Sequence, residues 1–167
     1  MSYFVILRGP LGVGKTTVAR RLAERLGASV VSIDRLLEAH DLEQWEDGYI
    51  SRASFLRANA LAAAEAGPSL AEGRPVLFEG NFYYPEQIDD LIDRLASRPF
   101  VFTLKAPVAT CIERDAHRER PLGEQGAREV HAKVTAFDRG IGIEATRPLE
   151  EVVAEIQRHL PAVGGRG

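Results

Sequence analysis

Gly9-Pro10-Leu11-Gly12-Val13-Gly14-Lys15-Thr16 carries glycine, lysine and threonine at the spacing G-x-x-x-x-G-K-[ST], which can wrap a chain of phosphates. Glycines let the backbone turn its N–H groups inward, and a helix opening near Lys15 aims its positive end at the anion. Lys15 would span the outer phosphates and Thr16 would offer its hydroxyl to Mg²⁺. The expected nucleotide contacts are Gly9, Gly12, Val13, Gly14, Lys15, Thr16 and Thr17. The competing explanation is a glycine-rich turn that binds nothing. With 15 glycines, three lysines and 13 serines plus threonines in 167 residues, a chance match arises in roughly two such chains in a thousand. Eighteen of the 21 basic residues are arginine, yet this position is lysine, whose compact ammonium suits it.

Three further groups can take part in chemistry. Asp34 follows the apolar run Val30-Val31-Ser32-Ile33, so it falls at the carboxyl end of a strand, where ligands of open α/β sheets collect. Its alternative role is capping a helix that starts at Arg35. Glu79 ends the run Val76-Leu77-Phe78, at the exit of a strand, where the alternative to a site role is a solvated strand-end charge. Arg114 and Arg118 stand four apart on an expected helix, with Arg120 just beyond; the alternative is a solvated basic face paired with Glu113, Asp115 and Glu119.

The elements that must position these groups follow from periodicity. Strand-length apolar runs cover Tyr3 to Leu7, Ser29 to Ile33, Pro75 to Phe78, Phe100 to Leu104 and Ile141 to Glu144, alternating with helical stretches, so the expected class is α/β with a parallel sheet. Helices are expected over Lys15 to Leu26, Arg35 to Leu42, Arg52 to Ala66 and Pro85 to Ala96. Two more run from Pro107 to about Arg118 and from Pro148 to Leu160. Gly67-Pro68 should stop the third of these. Arg118 to Gly126 is charged and glycine-bearing and reads as a mobile surface loop.

Composition limits the partners. A length of 167 residues suits one domain, expected over 1–160 with a flexible tail at 161–167. The net charge of −3 lacks the basic excess of a protein that grips nucleic acid, which argues against that partner without excluding it. No basic segment precedes the first apolar run and no apolar run nears the ~20 residues of a membrane span. The single cysteine, Cys111, fits a reducing compartment, so the expectation is a cytoplasmic protein, monomeric or homodimeric.

With the loop, Asp34 and the run Arg114 to Leu122 in view, the chain resembles small P-loop kinases with a lid, such as shikimate kinase, gluconate kinase and chloramphenicol phosphotransferase. The resemblance implies a three-layer P-loop fold whose five parallel strands run in the order 2-3-1-4-5, with helices on both faces. It implies transfer of the γ-phosphoryl group of ATP, with Mg²⁺, to a hydroxyl or phosphate of a small acceptor. Lys15, Asp34, Arg120 and Arg118 would be catalytic; Asp34 would take the hydroxyl proton, as in chloramphenicol-phosphotransferase-like enzymes, or position acceptor and metal water, as in shikimate-kinase-like ones, and Glu79, at a position resembling Walker B, would stand with Thr16 and Asp34 about Mg²⁺. Arg120, in Arg120-Pro121-Leu122, is the favoured arginine of a lid at about 118–126 that closes over ATP, and Arg114 would pack on adenine. An insertion at about 36–66 and the segment after the third strand would hold the acceptor, through Asp34, Arg35, Arg52, Gly80, Asn81 and Phe82. Shikimate kinase has a glycine pair near the site of Gly80-Asn81, a departure that argues against shikimate as the acceptor. The alternatives are a nucleotide or polynucleotide 5'-hydroxyl kinase and a non-catalytic nucleotide-binding module.

Overall fold

The computed structural model describes residues 2–162; most of the tail expected at 161–167 falls outside them. At its centre is β1 (Tyr3–Arg8), whose Phe4, Val5, Ile6 and Leu7 are all fully buried, as a strand covered on both faces requires. Val5 and Leu7 face Leu22, Val153 and Ile156, whereas Phe4 and Ile6 face Phe55, Ala58 and Leu91. This two-residue alternation divides one sheet between two apolar layers.

Beside β1 lie β2 (Ser29–Ser32), β5 (Val76–Gly80), β6 (Arg98–Lys105) and β7 (Ile141–Glu144), all parallel. The order across the sheet is β2-β5-β1-β6-β7. The labels depart from the expected 2-3-1-4-5 because an unforeseen antiparallel ribbon, β3 (Trp45–Glu46) and β4 (Tyr49–Ile50), lies within the insertion. Asp47 and Gly48, with φ of 53° and 83°, make the tight turn such a hairpin demands.

The helices are α1 (Lys15–Leu26), α2 (Ile33–Ala39), α3 (Arg52–Ala71), α4 (Pro85–Arg94), α5 (Val108–Ala116), α6 (Glu124–Thr135) and α7 (Leu149–Arg158). Three differ from expectation. Helix α3 runs through Gly67-Pro68, because Ala58, Ala62, Ala66 and Leu70 continue one buried stripe at intervals of four, and packing outweighs the lost backbone bond. Helix α5 stops at Ala116, so Arg114 and Arg118 do not share one continuous helix. Helix α6 begins inside the stretch expected to be loop: Ala127, Val130 and Val134 are buried and anchor an otherwise charged segment.

Arg8 ends β1 with no accessible surface and with no carboxylate partner among the described residues. Its guanidinium donates to Thr103 Oγ1 at 3.2 Å, Phe82 O at 3.3 Å, Val134 O at 2.8 Å and Phe137 O at 3.5 Å, and it lies 4.2 Å over the Phe137 ring. Burial lowers its pKa to about 10, against the opposing pull of Asp138. Carbonyl dipoles therefore do the work that a counter-ion would otherwise do.

Candidate active site

Strand register builds the site. Leu7 and Ser32 both lie opposite Glu79, and Arg8 lies opposite Gly80, so the carboxyl ends of β1, β5 and β2 are level. The next residues, Gly9, Asn81 and Ile33-Asp34, therefore open side by side at one edge of the sheet.

The phosphate loop has the backbone that its glycines permit. Gly12 and Gly14 have φ of 82° and 102°, in the left-handed region that side chains disfavour. A Cβ on Gly12 would lie 2.3 Å from the Cys111 carbonyl oxygen, so helix α5 packs directly against the loop. Gly14 leads into α1, whose first residue, Lys15, is 8% exposed. The Lys15 ammonium donates to the Pro10 carbonyl at 3.1 Å, folding back over its own loop. Burial lowers its pKa, while Glu79 and Asp34 pull it up and Arg118 lowers it further. These four charges thus share one electrostatic neighbourhood.

Asp34 sits in the first turn of α2, and Ser32 caps that helix by accepting the Arg35 N–H at 3.4 Å. The capping role open to Asp34 is thereby filled by its neighbour, leaving the Asp34 carboxylate toward the cavity. Its position beneath the rim raises its pKa to about 6; Lys15 pulls the value down and Glu79 and Glu43 push it up. The side chain is nonetheless exposed to the open cavity, and water there opposes the rise. Glu79 is 6% exposed and accepts from the Ser32 hydroxyl at 3.0 Å.

A cavity of about 350 Å³ covers the loop mouth, where Lys15, Thr16, Thr17, Asp34, Glu79 and Arg118 meet. Asn81 and Arg114 also border it. Arg114 donates to Val13 O at 2.8 Å and to Ala145 O at 3.2 Å, bridging the phosphate loop and the turn after β7. A wider trough of about 910 Å³ shares Thr16, Asp34, Glu79 and Arg118 and continues past Arg35.

Other expected residues are placed elsewhere. Phe82 is fully buried with φ of 50°, so its ring belongs to the core, and it borders neither cavity. Gly80 is buried at the strand end. Arg52 opens α3, 3.7 Å from Glu86 and 5.3 Å over the Tyr84 ring, and borders neither cavity. Arg120, the favoured lid arginine, is exposed and borders neither, whereas Arg118 borders both. Sequence reasoning gave Asp115 no role beyond pairing with the arginines around it. It is 1% exposed and accepts from Arg118 at 3.2 Å, Leu122 N at 3.1 Å and Gly123 N at 3.0 Å, clasping the loop between α5 and α6. Arg8 was missed because it reads as the end of an apolar strand.

The comparisons with known proteins agree with this geometry. The family model described as AAA domain matches residues 4–139. Shikimate kinase of Symbiobacterium thermophilum is 33% identical over 185 residues, covering 98% of this chain and 99% of that protein. Among solved structures, a sugar kinase from Janibacter sp. HTCC2649 superposes with a TM-score of 0.78 at 17% identity, covering 99% of this chain and 100% of that one. A gluconokinase from Sinorhizobium meliloti 1021 gives 0.71 at 18%, covering 90% and 87%. These two likenesses concern the fold. A phosphate loop joined to level strand ends, with whole-length kinase relatives, leads to one assignment: the chain belongs to the AAA domain family and is a small P-loop kinase, a phosphotransferase.

Proposed function

We propose that the protein transfers the γ-phosphoryl group of ATP to a hydroxyl of a small acceptor, with Asp34 as the base. The observation that carries this reading is the shared cavity: Lys15, Thr16, Asp34, Glu79 and Arg118 all border one space at the loop mouth. The acceptor oxygen forms a bond to phosphorus as the bond from phosphorus to the bridging oxygen of ADP breaks. Its proton passes to the Asp34 carboxylate, and ADP leaves. Lys15 turns from Pro10 O to the phosphates, where a buried ammonium is electrostatically strong. The loop at 118–123 closes, bringing Arg118 over the transferring group and excluding water.

Thr16, Asp34 and Glu79 fit Mg²⁺, being hard oxygen donors. No cluster of three or more His, Cys, Asp or Glu suited to a metal occurs among the described residues, which suits an ion held largely by phosphate oxygens and water. When bound, the ion would neutralise charge on the outer phosphates. Arg114 holds the nucleotide loop to the turn after β7, and Arg35 and Asn81 flank the acceptor beside Asp34.

The test is ADP release with Mg-ATP across a panel of hydroxyl acceptors, shikimate and gluconate included. Acceptor-dependent turnover that vanishes in Lys15→Ala and Asp34→Asn supports the reading. ATP binding without turnover for every acceptor would refute it and favour a nucleotide-binding module.

A further inference from the structure

Asn81 follows β5 at the loop mouth, where it borders the cavity of about 350 Å³ together with Lys15, Asp34 and Glu79. Because Gly80 is level with Arg8, and Glu79 with Ser32, Asn81 stands between the phosphate loop and the helix that carries Asp34. Its Nδ2 donates to the Tyr83 hydroxyl at 3.1 Å. Its Oδ1 has no partner among the described residues, yet it is not one of their buried unpaired atoms. That oxygen therefore opens to solvent at the cavity.

Tyr83 borders neither cavity and is 8% exposed. Its ring is held edge-on by Phe55, Tyr49 and Tyr84, with centroids at 5.6, 5.8 and 6.4 Å, so the phenol oxygen has a fixed place. Burial, and then the Asp34 charge, push its hydroxyl up. It stays a neutral phenol that can accept from an amide. Phe82, between the two residues, is kept at φ of 50° by its buried ring and by Arg8, which donates to Phe82 O at 3.3 Å. A non-glycine residue in that region persists only where its surroundings hold it, and such residues gather at functional sites. The bend takes the chain out of β5 just where Asn81 and Tyr83 meet.

From this pairing we infer that Tyr83 is a positioning residue that fixes the Asn81 amide with Oδ1 toward the transfer point. There Asn81 selects an acceptor that carries a second hydrogen-bond donor, a hydroxyl or an amine, beside its reacting hydroxyl. An amide oxygen can only accept, and phosphate oxygens and ionised carboxylates are acceptors too. The proton of the reacting hydroxyl goes to Asp34, so a different donor must meet Oδ1. Released from Tyr83, the amide would turn its NH₂ to the phosphates instead; the phenol decides which end faces the acceptor. The inference rests on the kinase reading and adds a specificity residue and the residue that orients it.

The experiment compares wild type with Tyr83→Phe, Asn81→Ala and the double variant. The control is Tyr84→Phe, whose hydroxyl donates to Ile50 O and which borders neither cavity. In nitrogen-15-labelled protein, the Asn81 side-chain amide protons should exchange slowly in wild type and Tyr84→Phe and faster in Tyr83→Phe. Turnover with Mg-ATP is then measured for glycerol against propane-1,3-diol, gluconate against 5-deoxygluconate and shikimate against 4-deoxyshikimate, the second of each pair lacking one hydroxyl. At least one full acceptor should be preferred. For it, Tyr83→Phe should raise KM about 3- to 10-fold with kcat and the KM for ATP nearly kept, and Asn81→Ala should erase the preference. Tyr83→Phe should add nothing to Asn81→Ala in the double variant, which a role in packing alone would not give. No turnover of any acceptor, with amide protection lost in Tyr83→Phe and kept in Tyr84→Phe, would uphold the positioning role and refute the kinase reading. Equal protection in Tyr83→Phe, full addition in the double variant, or turnover blind to the missing hydroxyl would overturn the inference. So would a Mg²⁺ requirement that shifts while the acceptor KM does not, since Oδ1 would then hold the ion's water.

Discussion

The guanidinium of Arg118 lies 3.2 Å from Oδ1 of Asp115, a carboxylate with 1% of its surface exposed. The same carboxylate takes the N–H groups of Leu122 and Gly123, so one buried charge fixes both the loop and its arginine. Asp115→Asn replaces an acceptor with a donor against these N–H groups and should lower stability by ~1–3 kcal/mol. Hydrogen exchange across 118–123 should quicken while α1 keeps its protection. Unchanged exchange would mean that the loop is held by something else.

Lys15→Ala removes the ammonium that spans the phosphates, and neither of the chain's other lysines, Lys105 and Lys133, borders the loop cavity. Turnover should fall below detection while circular dichroism stays that of a folded protein, because positioning and charge stabilisation dominate phosphoryl transfer. Near-normal turnover would be incompatible with the proposed chemistry.

Asp34 gives two pH signatures. Burial raises the Asp34 carboxyl to about 6 in the nucleotide-free protein; in turnover, kcat/KM for the acceptor should fall at acid pH as the carboxylate is protonated, and Asp34→Asn should lower kcat by ~10²-fold or more. Stability runs the other way. Between the ordinary carboxyl range and pH about 6, the folded protein binds more protons than the unfolded chain, so stability without nucleotide decreases as pH rises through that window. Asp34→Asn should therefore raise Tm at pH 7.5 and flatten its change between pH 4 and 6. A lower Tm at both ends would assign Asp34 a structural role.

Arg118→Ala should reduce kcat more than Arg120→Ala does, because only Arg118 borders both the loop mouth and the trough. Both variants should bind ATP nearly as wild type, since contacts that strengthen as charge develops act on kcat. Steady-state constants for the pair decide this. A larger loss in Arg120→Ala would mean that closure carries Arg120 inward past Arg118.

Some of this design can be read from residue spacing alone. Helix α1 spans Lys15–Leu26 as expected, because Val18, Leu22 and Leu26 repeat at fours and Gly14 and Gly27 mark its ends. The sheet strands were legible because buried parallel strands are continuous apolar runs. Helix α6 was not: three buried residues among charges, with Gly126 inside, look like a loop until the sheet supplies a surface to pack on. The end of α3 was misplaced for a related reason, since Pro68 is a strong local signal and Leu70's burial is a tertiary one. At the site, the phosphate loop, Asp34 and Glu79 came together as their strand ends required. The Arg8 contacts join segments up to 129 residues apart in sequence, which no local pattern records, whereas Asp115 bonds residues only three to eight positions away and is hidden because its burial depends on tertiary packing.

The contacts of Arg8 give helix α6 two unlike ends. Its N-terminal side follows the short loop at 118–123, but its C-terminal side is pinned through Val134 O and Phe137 O to a charge with nowhere else to go. Detaching that end would leave a guanidinium unsolvated in an apolar interior, at a cost far above that of bending a loop. Any displacement of α6 would therefore pivot near Val134, with the largest arc at Glu124. The same guanidinium holds Phe82 O, which ties the backbone after β5 to that pivot.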